Sequence, residues 1–335
     1  MKGKTRLLST FLFRTGLLDI LKRRRCDQLV VLNYHRVRPD DGDVYTPFDD
    51  KVYGPTVSQL DEQMGWLKRH TRILSEAEVI ACLNRRSGPG ESSVLITTDD
   101  GYRDNYTRVF PVLKCHDIPA IFFVPTRFIE ERRLGWWDRL AYVLKKNTKP
   151  QITYEGRTLD LAQRDQVFAI LKRFIVDGLV TAPHELPEHI AALCEVDPPS
   201  AEEQDGELMT WEQLRELREH EIVIGSHTHS HPILSRIDAS LQRAELAESK
   251  QVISMKTGAT VRSLAYPTGA RDHFTTATQR IGRELGYDLG FSFYSGFNRW
   301  PTMDAFDVRR VEVSYQDRIG VAATAILPQL FTWPK

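Results

Sequence analysis

The chain has 335 residues, of which 41% are apolar and 27% are charged, and its formal net charge is zero. This composition is typical of a globular protein with a substantial core. The zero net charge gives no indication of nucleic acid as a partner, and the sequence has no apolar run of about 18 residues that could span a bilayer.

The first 25 residues differ from the rest in charge. They carry eight basic side chains and one acidic one, Asp19, whereas the remainder has 37 basic and 44 acidic residues. Residues 5–22 place leucines and phenylalanines at helical spacing among basic residues, which predicts a basic amphipathic helix. Two interpretations stay open: a helix packed on the main domain, or peripheral contact with an anionic membrane through residues 5–25.

Two further features bear on the compartment. The apolar runs near the start are short and lack a small-residue cleavage site, so we predict no signal peptide. The four cysteines are far apart in the sequence and form no C-x-x-C pair, which is typical of reduced thiols. Together these features predict a cytoplasmic protein, with peripheral membrane contact as the alternative.

Apolar strands alternate with helices over most of the chain. The strands are predicted at 29–35, 93–98, 118–124, 222–226, 263–267, 287–293 and 307–314. Helices are predicted after Thr56, Ser75 and Thr210, through Val109 and Leu113, and over 239–256 and 274–285, while 38–55 is predicted as a loop. This alternation predicts an α/β fold with a parallel sheet or barrel.

Residues from about 130 to 208 interrupt the alternation. They contain a helical run, WWDRLAYVLKK, a hairpin around Glu155-Gly156 and further helical stretches. We predict a mostly helical insertion on the rim of the barrel. The predicted organisation is a basic helix over 1–27, a main domain over 28–316 that contains the insertion, and a C-terminal helix or tail over 317–335.

Polar residues of two kinds follow two of the predicted strands. The strand at 93–98 ends in Asp99-Asp100-Gly101, and two adjacent carboxylates at such a place need a positive partner. The alternative is a purely structural role, in which the segment forms a turn and one aspartate caps the next helix. The strand at 222–226 leads into His227, His229 and His231, and an H-x-x-x-H pair can close on one metal in a helical turn.

The carboxyl ends of parallel strands gather at one edge of a sheet, so these groups are expected to meet. One carboxylate and two imidazoles with open positions suit Zn²⁺ or a similar divalent ion that performs hydrolysis. The second carboxylate is then free to act as a base.

The sequence resembles the polysaccharide deacetylases, a family of carbohydrate esterases with a NodB homology domain. ITTDDGYRDNY (96–106) matches the family's T-F-D-D-G-Y motif, and GSHTHSHPIL (225–234) matches its H-[ST]-x-x-H motif. LAYPTG (264–269) stands at the place of R-x-P-Y-G. The resemblance covers about residues 29–315 and implies a distorted (β/α) barrel.

The resemblance also implies roles for individual residues. Asp100, His227 and His231 would hold a divalent metal, with Zn²⁺ expected first and Co²⁺ or Ni²⁺ as alternatives. Asp99 would be the base that takes a proton from water. The backbone N–H of Thr268 would help to hold the oxyanion, next to Tyr266 as a substrate contact.

The substrate would be an N-acetylated glycan, from which acetate is released. Trp137 is a candidate wall for a sugar ring, although a tryptophan at a helix start is also common in packing.

Two members of the family's pattern have no counterpart here. The motif's arginine falls on Ala265, and the late L-x-H motif that supplies the general acid has no match after residue 290. Tyr34-His35 ends the first strand, and a branch of the family with such a pair makes His35 the candidate acid, ahead of His229 and His273. These departures leave two alternative functions open: a catalytically decayed carbohydrate-binding protein, or a deacylase of a non-sugar amide or ester.

Overall fold

The computed structural model of the protein describes residues 3–15, 17–18, 28–41, 46–180, 182–313 and 318–328. The strands are β1 (Gln28–Tyr34), β2 (Arg36–Arg38), β3 (Tyr53–Thr56), β4 (Arg72–Ile73), β5 (Ser93–Thr98), β6 (Ala120–Val124), β7 (Gln151–Tyr154), β8 (Arg157–Asp160), β9 (Ile222–Ser226), β10 (Ser263–Ala265), β11 (Leu289–Phe291), β12 (Asn298–Arg299) and β13 (Arg310–Glu312). The α-helices are α1 (Gly3–Arg14), α2 (Val57–His70), α3 (Glu76–Arg85), α4 (Phe110–Cys115), α5 (Thr126–Glu131), α6 (Trp136–Lys146), α7 (Arg164–Val176), α8 (Leu186–Cys194), α9 (Ala201–Asp205), α10 (Trp211–Arg218), α11 (Ala239–Thr257), α12 (Thr276–Glu284) and α13 (Arg318–Ile326).

One large sheet organises the domain. Its strand order is β11-β10-β9-β6-β5-β1-β12, with β4 also beside β5 and β13 also beside β1. Its pairings are parallel except for that of β12 with β1. The segment that leads into β13 bonds to β11, where the Val308 N–H donates to the Gly290 carbonyl at 2.9 Å. The sheet therefore curls towards its own first strand, and the predicted distorted α/β barrel is confirmed.

Alternate residues of each strand face two different apolar clusters, as the two-residue period of a strand requires. Val30, Leu32 and Ile96 pack with residues of α2 in the larger cluster. Leu29 and Val31 belong to a separate cluster with residues of β5, β6 and β11. The larger cluster therefore lies between the sheet and helices such as α2, and the second cluster lies on the other face of the sheet, where Val79 and Ile80 of α3 also pack.

The helix starts follow from local sequence. Thr56, Ser75 and Thr210 each accept a hydrogen bond from the backbone N–H three residues later, and the Gln or Glu at that position bonds back to the cap. These capping boxes satisfy backbone groups that a helix start leaves without intrahelical partners. The predicted starts of α2, α3 and α10 are confirmed.

Three local predictions differ from the structure. The helix predicted through Val109 opens with a π-helical turn, Asn105–Val109, before α4. The strand predicted over 263–267 ends at Ala265, because Pro267 has no N–H to donate to a neighbouring strand. The predicted loop 38–55 contains the start of β3, which pairs with β2.

The terminal helices pack on one another and on α2. The Phe13 ring of α1 lies 6.3 Å from that of Trp66, and the Arg318 guanidinium of α13 lies over Phe13. Residues 1–2, 16 and 19–27 of the predicted basic segment, and 317 and 329–335 of the predicted tail, lie outside the described residues. Among the helices in the described ranges, none has the length and apolar character that crossing a bilayer requires.

Candidate metal centre and active site

The polar residues that follow the strands meet at the carboxyl edge of the sheet. His35 follows β1, Asp99 and Asp100 follow β5, His227 follows β9, and Thr268 lies three residues after β10. Because β1, β5, β9 and β10 run parallel, these chain positions share one edge.

The backbone turns sharply between the two aspartates. Successive side chains of an extended strand point to opposite sides, yet Asp99 and Asp100 both reach the same buried site. The reason is the left-handed conformation of Asp100, with a φ of 72°, followed by Gly101 with a φ of 71°. Aspartate is one of the few side chains that tolerates this region, and glycine has no Cβ to oppose it.

Asp100, His227 and His231 form a cluster whose ligand atoms lie within 4.8 Å of one another. Asp100 Oδ1 is 3.6 Å from Nε2 of each histidine. Two ligand atoms bound at about 2.1 Å to one tetrahedral metal would lie roughly 3.4 Å apart. Asp100 Oδ1 is also buried and has no hydrogen-bond partner, so a cation would satisfy it. This group can hold a metal ion.

The segment 227–231, which carries the three histidines, is a loop. The expectation that the H-x-x-x-H pair lies in a helical turn is therefore wrong. Thr228 and His231 have φ values of 66° and 61°. The Thr228 hydroxyl accepts the His231 N–H at 3.0 Å. Glu245 of α11 accepts the N–H groups of His229 and Ser230 at 2.9 and 2.8 Å. These bonds hold the loop in the form that brings the two ligands together.

Burial and charge shift the pKa values of the cluster in a consistent way. Burial, and then the neighbouring Asp99 and Asp138, raise the pKa of Asp100 well above its usual value. Burial lowers the pKa of His227 to about 4 and also lowers that of His231. The two imidazoles are therefore neutral at pH 7, as metal ligation requires. The raised pKa of Asp100 shows that its ionised form lacks a positive partner, which a bound cation would provide.

Asp99 has a counter-ion that the sequence motifs did not indicate. Arg310 of β13 donates from Nη1 to Asp99 Oδ1 at 2.7 Å, and Asn33 donates from Nδ2 to Asp99 Oδ2 at 3.2 Å. Burial acts to raise the pKa of Asp99, but Arg310, His227 and His35 outweigh it and hold that pKa below its usual value. Asp99 is thus a carboxylate at neutral pH.

Arg310 gives Asp99 the positive partner that the motif's arginine, replaced here by Ala265, was expected to provide. The sequence did contain a signal, since an arginine inside an apolar strand (VRRVEV) needs a buried partner. Arg310 is fully buried, and its Nε also donates to the Ser292 carbonyl at 2.9 Å. The absence of the motif's arginine therefore does not leave Asp99 without a positive partner.

His35 lies beside Asp99 at the open side of the cluster. Its Nε2 is 4.0 Å from Asp99 Oδ2, and its side chain is 19% exposed against 3% for Asp99. The Phe293 ring contacts it edge-on at 5.3 Å. Burial lowers the pKa of His35, while Asp99 and Glu312 act in the opposite direction. His35 is therefore placed to exchange a proton with a group that enters from solvent.

The segment after β10 carries Tyr266 and Thr268, the two residues predicted to contact the substrate, and the structure places them differently. Thr268 has a left-handed backbone, with a φ of 56°, and its hydroxyl bonds to Nδ1 of His273. Tyr266 is fully buried, its hydroxyl donates to the Phe306 carbonyl at 3.0 Å, and its ring stacks on Phe274. Tyr266 is thus a core residue that a substrate does not reach, because its side chain points into the domain.

Trp137 lies against the metal cluster. Its ring centroid is 4.8 Å from that of His231, and its Nε1–H donates to the Tyr102 hydroxyl at 2.8 Å. With 9% of its surface exposed, it offers little area to a sugar ring.

His229, a weaker candidate for the general acid, turns away from the metal-facing histidines. Its Nδ1 bonds to the Thr126 hydroxyl at 2.8 Å, and its Nε2 is 3.6 Å from Glu248 of α11. His273 is engaged with Thr268, so neither of these histidines joins the cluster of Asp100, His227 and His231.

Two solved structures share the fold of this chain. IcaB from Ammonifex degensii has a TM-score of 0.58 at 23% identity, over 90% of this chain and 98% of that one. The Streptococcus pyogenes deacetylase PplD, solved with acetate, has a TM-score of 0.57 at 18% identity, over 86% of this chain and 92% of that one. At these identities the likeness shows the fold, a curled and mostly parallel sheet.

Sequence comparison gives the family. Residues 86–290 match the family described as "Polysaccharide deacetylase", and this chain belongs to it. YxkH of Bacillus subtilis is 22% identical over 239 residues, which is 71% of this chain and 58% of that protein. The poly-beta-1,6-N-acetyl-D-glucosamine N-deacetylase of Staphylococcus epidermidis is 35% identical over 112 residues, which is 30% of this chain and 37% of that enzyme. The chain thus matches between about two fifths and three fifths of the length of these relatives.

Proposed function

We propose that this protein hydrolyses N-acetyl groups on an amino-sugar glycan. The observation that carries the proposal is the placement of an ionised, arginine-paired Asp99 beside a buried cluster of Asp100, His227 and His231. One carboxylate and two neutral imidazoles suit Zn²⁺, with Co²⁺ or Ni²⁺ as alternatives. A divalent ion in this cluster supplies Lewis-acid activation of water and of the amide carbonyl.

The protein's own groups then move the protons. Asp99 Oδ2 is the base, since its other oxygen is held by Arg310 and it is the oxygen nearest to His227 and His35. His35 gives a proton to the leaving amine from the more exposed side. The Thr268 N–H is the proposed donor to the carbonyl oxygen as that oxygen becomes negative.

An acetate-release assay tests this function. Oligomers of N-acetylglucosamine with β-1,6 linkages are the first substrate, because the Staphylococcus epidermidis relative carries that polymer in its name. We expect turnover with Zn²⁺ or Co²⁺, loss with EDTA, and a loss of at least about 100-fold in Asp99→Asn. Asp272→Asn, an exposed carboxylate on the same rim, is the matched control and should keep its activity.

The alternatives have distinct outcomes in the same assay. Stoichiometric metal without acetate release from any glycan would favour a decayed binding protein, and release only from simple amides or esters would favour a non-sugar deacylase. The pairing of Arg310 with Asp99 supports the enzyme, because the missing arginine was one of the two departures on which the alternative of a decayed protein rested.

We also propose that α1 rests on an anionic membrane surface. Ser9 and Leu12 are buried against the domain, whereas Leu7, Leu8 and Phe11 are 74%, 42% and 58% exposed. Residues three and four apart share a face of a helix, so these three side chains form one apolar patch. The excess of basic residues among the first 25 complements anionic lipid.

Vesicle sedimentation tests the membrane contact. The protein should bind phosphatidylglycerol vesicles, and binding should fall with added salt and in L7E/F11E. Met255→Glu is the matched control, since Met255 is 67% exposed on α11. Equal binding of L7E/F11E and the parent protein would rule the patch out. We propose a cytoplasmic location, in line with the unpaired thiols of Cys82, Cys115 and Cys194, and cell fractionation tests it.

A further inference from the structure

The two metal-facing histidines are held in different ways. His227 donates from Nδ1 to the Ala265 carbonyl at 2.8 Å, and since a carbonyl only accepts, this bond leaves Nε2 free to bind a metal. Nδ1 of His231 is buried and has no hydrogen-bond partner. Ligand histidines usually have such a partner, so something else must fix the His231 ring.

Aromatic packing takes that place. The His231 ring lies 4.8 Å from the Trp137 ring and 5.9 Å from that of Phe128, and the His227 ring meets it edge-on at 4.7 Å. Phe128 also contacts Trp137, at 5.9 Å. The Trp137 indole is the nearest of these rings apart from His227, so its position determines how the His231 ring is oriented.

A directional chain of hydrogen bonds fixes that indole. The Trp137 Nε1–H donates to the Tyr102 hydroxyl at 2.8 Å, and the Tyr102 hydroxyl donates to Asp138 Oδ2 at 2.7 Å. The other oxygen, Asp138 Oδ1, accepts the Asp49 N–H at 3.1 Å. An indole N–H can only donate, so the Tyr102 oxygen accepts the Trp137 hydrogen, and the hydroxyl hydrogen of Tyr102 is left to bond Asp138 Oδ2.

The Tyr102 ring is clamped as well. The Arg36 guanidinium lies over the rings of Tyr102 and Tyr53, with centroid distances of 4.5 and 4.4 Å. Arg36 is itself held by Asp104 and Glu207, at 2.6 and 2.5 Å. Tyr102 has little freedom, and it also lies only two residues after the metal-facing Asp100.

We propose that Trp137, Tyr102 and Asp138 are positioning residues that hold His231 in its metal-binding orientation. None of them faces the metal position with a ligand atom. They act through the indole, which takes the role that a hydrogen bond to Nδ1 performs for His227. The inference depends on the metal cluster and not on the identity of the substrate.

The test is the affinity of the purified protein for Co²⁺, followed by the visible absorption of the bound ion. Tyr102→Phe removes one oxygen atom and both of its hydrogen bonds. We expect Co²⁺ to bind about 10- to 100-fold more weakly, as for other losses in the shell around metal ligands, with a changed absorption band. A substrate-free readout keeps this result independent of the proposed deacetylation.

Tyr34→Phe is the matched control. Tyr34 is also fully buried, and its hydroxyl donates one bond, to Gln63 Oε1 at 2.9 Å on the outer face of the sheet. The Tyr34→Phe protein should be less stable than the parent protein but should bind Co²⁺ with the same affinity. If Tyr102→Phe is not recovered folded, Trp137→Phe decides, because it keeps an aromatic ring and removes the N–H. The proposal would be overturned if the folded variant bound Co²⁺ with an affinity within twofold of that of the parent protein and showed the same absorption band.

Discussion

Replacing Arg310 by methionine removes the guanidinium that faces Asp99 and leaves a buried carboxylate without its counter-charge. The two side chains are 0% and 3% exposed, and Nη1 lies 2.7 Å from Oδ1. Unit charges about 4 Å apart attract by about 4 kcal/mol at an effective dielectric constant near 20. Breaking a buried pair by removing one partner costs about 3–5 kcal/mol. We expect R310M to lose about that much unfolding free energy.

Urea unfolding of the metal-free protein at pH 7 measures this loss. Burial acts against ionisation of Asp99, but Arg310 holds its pKa below the usual value in the folded chain. The pair therefore makes its full contribution to the free energy of unfolding above the pKa of Asp99 in the unfolded chain, about 3.9. That contribution is lost as the pH falls through the lower pKa of Asp99 in the folded chain. At pH 7 the pair is fully charged.

A double-mutant cycle separates the pair from the packing around it. In D99N/R310M both charges are gone, so the combined loss should fall short of the sum of the single losses by at least about 2 kcal/mol. R139M is the control, because Arg139 is an equally buried arginine that pairs with Glu188. Its loss should add to that of D99N. Strict additivity of R310M and D99N would refute the assignment of Arg310 as the partner of Asp99.

Three further predictions concern the loops around the cluster. Gly101→Ala should cost about 1–2 kcal/mol in urea unfolding, because its φ is 71° and a Cβ would lie 2.9 Å from Ile129 Cδ1; an unchanged midpoint would contradict this. Glu245→Ala should weaken Co²⁺ binding about 10-fold by freeing the loop amides, while Glu248→Ala, which lacks those bonds, should not. Burial lowers the pKa of His227 to about 4, so metal-free stability should be complete above pH 6.5 and fall by about 3 kcal/mol towards pH 4; His227→Asn should flatten that slope.

Much of the fold could be predicted from spacing and caps. The apolar runs located β1, β5, β6 and β9, because parallel strands covered on both faces are continuously apolar. Thr56, Ser75 and Thr210 located helix starts, because a capping box is a local interaction that four consecutive residues specify. The π-helical turn at 105–109 was missed, since it arises inside a segment whose apolar spacing is also that of an α-helix.

The metal cluster was predictable for a different reason. Its ligands follow two strands directly, and the edge at which such residues meet is set by the topology of a parallel sheet. The arginine was not predictable from motif position, because Arg310 comes from a strand 211 residues after Asp99. Tyr266 was assigned to the substrate by its neighbours in sequence, but strand alternation turns its side chain into the core. Which side of a short strand a residue faces depends on register, and register is a property of the whole sheet.

The distance in sequence between Asp99 and Arg310 has a consequence for the order of folding. β1 and β5 can pair once residues 28–98 have been synthesised, but β13 can add beside β1 only after residues 310–312 have followed. Until then the carboxylate at the end of β5 has no guanidinium beside it, and closing the barrel around it would bury an isolated charge. β13 thus supplies the positive charge for a carboxylate that the strands before it in the sequence would otherwise enclose without a partner. Closure of the barrel therefore depends on synthesis of the residue that forms this ion pair. Fragments that stop before residue 310 are expected to leave the edge of β1 that β13 covers without its partner strand.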